Sequence, residues 1–153
     1  MTLQLHQKQR SKESLSDEYE TPFDLFVDLC VKYDVRPGLD AAATLQNTLC
    51  VNFRTKEDDG LQGNWLLDTW VNPPHSRNED FVRKAYEQNQ KNNTNILMIL
   101  PCNSMSSNYF FDCIEGGKAE FHAIKGRIRF LLDGKLSNYV SRNGYISVIW
   151  RSK

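Results

Sequence analysis

The sequence predicts an α/β protein built on a doubly wound, mostly parallel sheet that ends in an antiparallel C-terminal hairpin. Three observations carry this. Residues 95–100 read as a strand whose last five residues are an unbroken apolar run, as expected of a strand buried on both faces in the middle of a parallel sheet. Short apolar strands alternate with helix-spaced segments up to residue 114. Beyond residue 118 the pattern becomes β-rich.

At 153 residues and 17.7 kDa, the chain is long enough for a real core but short for a catalytic domain plus a separate recognition domain. Residues 1–16 are polar and rich in Gln, Ser and Lys, which predicts a flexible arm ahead of a single domain over 17–153. Thr21 reads as a helix N-cap with Pro22 at the first helical position. Phe23, Phe26, Val27, Cys30 and Tyr33 follow at near-helical spacing, and the helix ends before Arg36-Pro37-Gly38. A short strand near Leu39 leads into Ala41, Ala42 and Ala43. A second, over 68–71, feeds Asn72-Pro73-Pro74-His75. Phe81, Val82 and Ala85 predict a helix over 78–89, a strand follows at 95–100, and a short helix spans 108–114. Strands are expected at 119–124, 128–132 and 145–150, and the chain contains no internal repeat.

Several classes are excluded by composition. There is no run of 18 apolar residues and no apolar signal core at the N-terminus, so a cytoplasmic protein without a membrane partner is expected. Cys30, Cys50, Cys102 and Cys113 are widely spaced without a CxxC pair. They read as reduced packing residues rather than a metal site, with Cys102 the most exposed. Net charge is zero but unevenly spread: residues 117–153 hold eight Lys/Arg against two acids, a net of +6, balanced by −6 before them. Such a basic terminal third suits phosphates.

In open α/β sheets, ligands bind beyond the carboxyl ends of the strands. Asp40, Asn72 and the stretch Pro101-Cys102-Asn103 fall at such ends. Asn72-Pro73-Pro74-His75 suits the activation of a planar amino nitrogen, whose lone pair is delocalised into its ring. The Asn72 side-chain oxygen and the Pro73 carbonyl can each accept one N–H and draw the nitrogen toward tetrahedral geometry. Asn-Pro also begins ordinary turns, so this loop takes its meaning from its context.

That context resembles the bacteriophage Dam-type DNA adenine-N6 methyltransferases. The resemblance runs from Asp17 to Arg129. It is carried by Asp17-Glu18-Tyr19-Glu20-Thr21-Pro22, Leu39-Asp40-Ala41-Ala42, Glu57-Asp58-Asp59-Gly60-Leu61 with Trp65, and Trp70-Val71-Asn72-Pro73-Pro74. Lys125-Gly126-Arg127-Ile128-Arg129-Phe130 resembles the family's late Gly-Arg segment. The resemblance implies an S-adenosylmethionine-dependent, Rossmann-like fold and methyl transfer to N6 of an adenine flipped out of double-stranded DNA, with no metal. By the same resemblance Tyr19, Glu20, Thr21 and Pro22 hold the methionine end of the cofactor, Asp40 and Ala41 its ammonium or ribose, and Asp59 its adenine; Asp58 belongs to the same cofactor-binding segment, with a merely solvated turn residue as its alternative reading. Asn72, Pro73, Pro74 and His75 form the catalytic loop. From the charge asymmetry, Lys125, Arg127 and Arg129 are expected on DNA phosphates. Two departures stand out: His75 replaces the loop's usual aromatic, offering a smaller face for stacking, and Pro101-Cys102-Asn103-Ser104 stands where many relatives carry a basic residue; after Asp40 there are only alanines where larger methyltransferases have a glycine-rich loop. Cytosine N4 and glutamine amides are also planar nitrogens, and a fold kept only for binding DNA or cofactor is a further alternative. Homo-oligomerisation is left open.

Overall fold

The computed structural model describes residues 17–153, so the expected N-terminal arm lies outside the described residues. Helix α1 spans Phe23–Tyr33, one residue later than the cap signal implies. Pro22 is the N-cap and its carbonyl accepts the Phe26 N–H at 3.2 Å, with no side-chain cap. The Thr21 hydroxyl does not cap the helix and instead accepts from Asn72, 51 residues away. At the other end Asp34 takes left-handed geometry, and the Val35 N–H bonds back to the Cys30 carbonyl.

Strand β1 (Leu39–Asp40) and β2 (Asn52–Phe53) are two residues each, and β3 is Thr69–Val71. After β3 a single 3-10 turn, His75–Arg77, leads into α2 (Asn78–Asn92), then β4 (Ile96–Pro101) and, past a second 3-10 turn, α3 (Asn108–Cys113). The chain ends with β5 (Glu120–Ile124), β6 (Arg129–Leu132), β7 (Lys135–Val140) and β8 (Tyr145–Trp150).

Six strands form one sheet in the order β2-β1-β3-β4-β8-β5. The sheet is mixed, with three parallel pairings and two antiparallel ones. β2, β1, β3 and β4 run parallel, but β8 enters antiparallel between β4 and β5. The expected antiparallel hairpin exists as β6–β7, apart from this sheet and joined to residue 20 through a bridge between Glu20 and Leu131.

Alternation along the central strands sorts the core onto two faces. Ile96, Met98 and Leu100 of β4, with Val148 and Trp150 of β8, meet Phe81, Val82 and Ala85 of α2 and Phe110 of α3. Leu97 and Ile99, with Ile149 and Trp70, turn the other way onto Phe26, Leu29 and Tyr33 of α1. All six residues of β4 are buried, which is why the run carries no polar alternation. Three polar contacts tie the layers together: Tyr33 and Ser147 share a buried hydrogen bond of 2.5 Å, and the Trp150 and Trp65 indoles donate to the Cys113 and Gly60 carbonyls. The four cysteines are free thiols, Cys113 buried and the other three half-buried. Burial pushes Cys30 up to about 11 and Cys50 to about 12, as suits packing thiols rather than nucleophiles. Among the described residues no helix is long and apolar enough to cross a membrane.

Candidate active site

Parallel pairing of β1 with β3 puts Asp40 beside Trp70 in register, so Asp40 and Asn72 leave the same edge of the sheet. Beyond that edge lies a cavity of about 670 Å³. Its walls come from the 17–21 segment, the chain after β1, the 54–60 loop and the catalytic-type loop after β3. Tyr19, Glu20, Thr21, Asp40, Ala41, Asp59, Asn72 and Pro74 all line it, so most of the residues singled out from sequence converge on one space. Pro22 and Asp58 do not belong to this lining. The Asp58 carboxylate caps its own turn, accepting from the Thr55 N–H and hydroxyl at 3.1 Å each, and those bonds hold its pKa below the ordinary value.

Asp40 is 3% exposed. Its two oxygens accept the Ala42 N–H at 3.3 Å and the Leu49 N–H at 3.1 Å, closing the neck of the loop that follows β1. Burial raises its pKa to about 7 against these two bonds. Asp59 also lines the cavity, with φ of 53°, a left-handed geometry that Asp tolerates. Its carboxylate accepts the Leu61 N–H and lies 3.7 Å from the Arg77 guanidinium. The next residue must be glycine, because a Cβ on Gly60 would lie 2.0 Å from the Ala41 carbonyl oxygen. This close approach brings the 59–60 turn against the end of β1 and fixes the cavity's width.

The 17–21 segment is clamped at several points. Asp17 accepts the Ser76 N–H and hydroxyl, Glu18 pairs with Lys56 at 2.5 Å, and Glu20 exchanges backbone bonds of 2.8 and 2.9 Å with Leu131. The Glu20 carboxylate turns toward the hairpin, accepting the Gly134 N–H at 3.1 Å, so it holds β6–β7 as well as lining the cavity. Asn72 donates through Nδ2 to the Thr21 hydroxyl at 3.0 Å. That bond leaves Oδ1 as the opposite end of the amide.

A second, smaller cavity of about 140 Å³ opens on the other side of Asn72. Asn72 and Tyr19 line both cavities, and Pro73 and His75 line only the smaller one. Its aromatic wall is Tyr19 stacked on Phe130, with ring centroids 5.9 Å apart and planes 15° apart, and Tyr145 set edgewise on Phe130 at 5.3 Å. His75 is exposed at the rim. Lys125, Arg127 and Arg129 are exposed and line neither cavity. Arg127 nevertheless donates to the Arg142 carbonyl at 2.7 Å, and Arg142 lines the smaller cavity, so the basic segment borders its mouth.

Sequence reasoning missed Arg77, Phe130, Tyr145 and Arg142. Arg77, at the start of α2, lines the larger cavity with its guanidinium 6.0 Å from the Phe81 ring centroid, and only its closeness to the Asn-Pro loop hinted at this. Phe130 lies inside a segment whose sequence signal is its charge.

The family model for "DNA N-6-adenine-methyltransferase (Dam)" matches residues 8–153. A DNA N-6-adenine-methyltransferase of Escherichia phage T1 is 32% identical over 139 residues, covering 90% of this chain and 56% of the relative. One of Haemophilus phage HP1 (strain HP1c1) is 30% identical over 125 residues, covering 81% of this chain and 72% of the relative. The chain thus spans a little over half the length of the phage T1 relative it matches.

Proposed function

Because the chain belongs to the DNA N-6-adenine-methyltransferase (Dam) family, we propose that it transfers a methyl group from S-adenosylmethionine to N6 of an adenine flipped out of double-stranded DNA. The observation that carries this reading is the position of Asn72, the one catalytic-loop residue shared by two adjoining cavities of different character. The larger suits a cofactor and the smaller a flat base.

The donor set of the larger cavity fits S-adenosylmethionine. Asp59 offers an acceptor for an amino group, Asp40 one for hydroxyls or an ammonium, Arg77 a cation for a carboxylate, and Phe81 and Trp70 an apolar wall. When bound, the cofactor supplies an electrophilic methyl sulfonium. The protein's part is to hold the amino nitrogen. Asn72 Oδ1 and the Pro73 carbonyl each accept one N6–H, which draws the lone pair out of conjugation and directs it at the methyl group. Placing nitrogen and methyl in near-attack geometry is worth roughly 7–11 kcal/mol of effective molarity. The extra proton on N6 then leaves to water.

In the smaller cavity Tyr19, Phe130 and Tyr145 add aromatic surface beside His75. This explains how a histidine is tolerated in the catalytic loop: further aromatic area sits on the neighbouring hairpin and the 17–21 segment. Base–aromatic stacking of this kind contributes roughly 1–3 kcal/mol per base. Lys125, Arg127 and Arg129, on the same side, serve as phosphate contacts.

Incubation with labelled S-adenosylmethionine and unmethylated DNA of varied sequence, followed by nucleoside analysis, tests the reading. N6-methyladenine is the expected product. N4-methylcytosine, or labelled protein without labelled DNA, would assign the same loop to another planar nitrogen, and no transfer by folded protein that binds the cofactor would reduce the chain to a binding module.

A further inference from the structure

Thr21 is 7% exposed, lines the larger cavity and meets Asn72 Nδ2 at 3.0 Å. A carboxamide has two unlike ends, and a threonine hydroxyl can serve either. It can accept from Nδ2, which turns Oδ1 away from Thr21, or donate to Oδ1, which turns the NH2 away instead. Only the first arrangement presents an acceptor to an amino nucleophile. The second sets N–H against N–H. The two are separated by the destination of the single Thr21 hydroxyl proton. If that proton is given to an acceptor in the larger cavity, the hydroxyl can only accept from Asn72.

Building on the catalytic role proposed for Asn72, we propose that Thr21 is a positioning residue that sets the orientation of the Asn72 amide. Its hydroxyl donates into the larger cavity and accepts the Asn72 N–H, so that filling this cavity fixes Oδ1 toward the smaller one. The cavity-to-cavity link runs through one hydroxyl and one amide. It also explains why Thr21 does not cap its own helix: Pro22 is the N-cap and no side chain caps α1.

The test is Thr21→Val, close in volume but without the hydroxyl, beside Thr21→Ser. At saturating cofactor and DNA, Thr21→Val is expected to lower kcat about tenfold or more, the scale of a removed hydrogen bond plus a misdirected amide, whereas Thr21→Ser stays near wild type. The readout independent of turnover is the side-chain NH2 signal of Asn72 in 15N-resolved NMR. Added S-adenosylhomocysteine should move it in wild type and in Thr21→Ser but not in Thr21→Val. Thr21→Cys, with a weakly accepting thiol, carries the same expectation as valine and serves if valine does not fold. A Thr21→Val kcat within twofold of wild type, or an unchanged NMR response, overturns the proposal and leaves Thr21 as a cofactor contact at most. Full turnover by Asn72→Ala would instead remove the Asn72 reading itself, so the two failures are distinguishable.

Discussion

On one side of β4 the sheet is antiparallel and long-paired, and on the other it is parallel and short. β4 and β8 stay in register from Ile96 opposite Trp150 to Pro101 opposite Tyr145, whereas β1 meets β2 and β3 only through Leu39 and Asp40. The proposed acceptors belong to the short half: Asp40 ends β1, Asn72 follows β3 directly, and Asp59 lies in the loop after β2. Brief strands release the chain into loops early, which lets polar side chains turn into a cavity, while the antiparallel half supplies the buried ladder that keeps those loops in place.

The largest effect expected from breaking this contrast is on stability. Ile149, fully buried on β8 away from both cavities, should cost roughly 2–5 kcal/mol when changed to alanine. Chemical denaturation measures this, and the fraction that remains folded should keep wild-type specific activity. Impaired activity in fully folded Ile149→Ala protein would show that the two halves are not separable. A smaller effect is expected at the basic segment. Arg127→Glu with Arg129→Glu should weaken DNA binding and flatten its log–log salt dependence by about 0.9 for each phosphate no longer neutralised, with cofactor affinity unchanged. An unaltered salt slope would remove these residues from the DNA interface.

The smallest expected effect concerns pH. Burial holds the Asp40 carboxyl at about 7 in the folded chain, against an ordinary 3.8, so ionising it works against the fold. The stability of the neutral form is fully present below the unfolded value and is lost as pH rises through about 7. Asp40→Asn cannot titrate, so across pH 4 to 7.5 the stability difference between the two proteins should shift in favour of the asparagine variant. Denaturation curves whose midpoints stay parallel over that range would contradict the assignment.

Much of this was legible in the sequence because it depends on local pattern. The apolar run of β4, the helix spacing of α1 and the order of the Asp40, Asp59 and Asn72 segments all survive in the structure, with α2 running to Asn92 rather than ending near 89. What was missed depends on distant partners or on very short elements. β2 is two residues, too few to show a period. β7 escaped the reading although Asp133 and Gly134, both at positive φ, form the tight turn that an Asp-Gly pair favours. Thr21 looked like a cap because capping is local, and its actual partner lies across 51 residues. Asp58 and Asp59 are adjacent in sequence, yet only Asp59 faces the cavity, since its left-handed backbone reverses the chain between them and Gly60.

The proposed chemistry stands most directly on Asn72, where the two cavities meet. Single-turnover methyl transfer should be compared in wild type and Asn72→Ala, alongside calorimetric binding of S-adenosylhomocysteine to both. A drop in transfer of about 10²–10³-fold or more, the scale of a removed preorganised electrostatic partner, with ligand affinity within a few-fold of wild type is the expected result. Transfer at the wild-type rate would contradict the assignment of Asn72 as the acceptor for the target amino group.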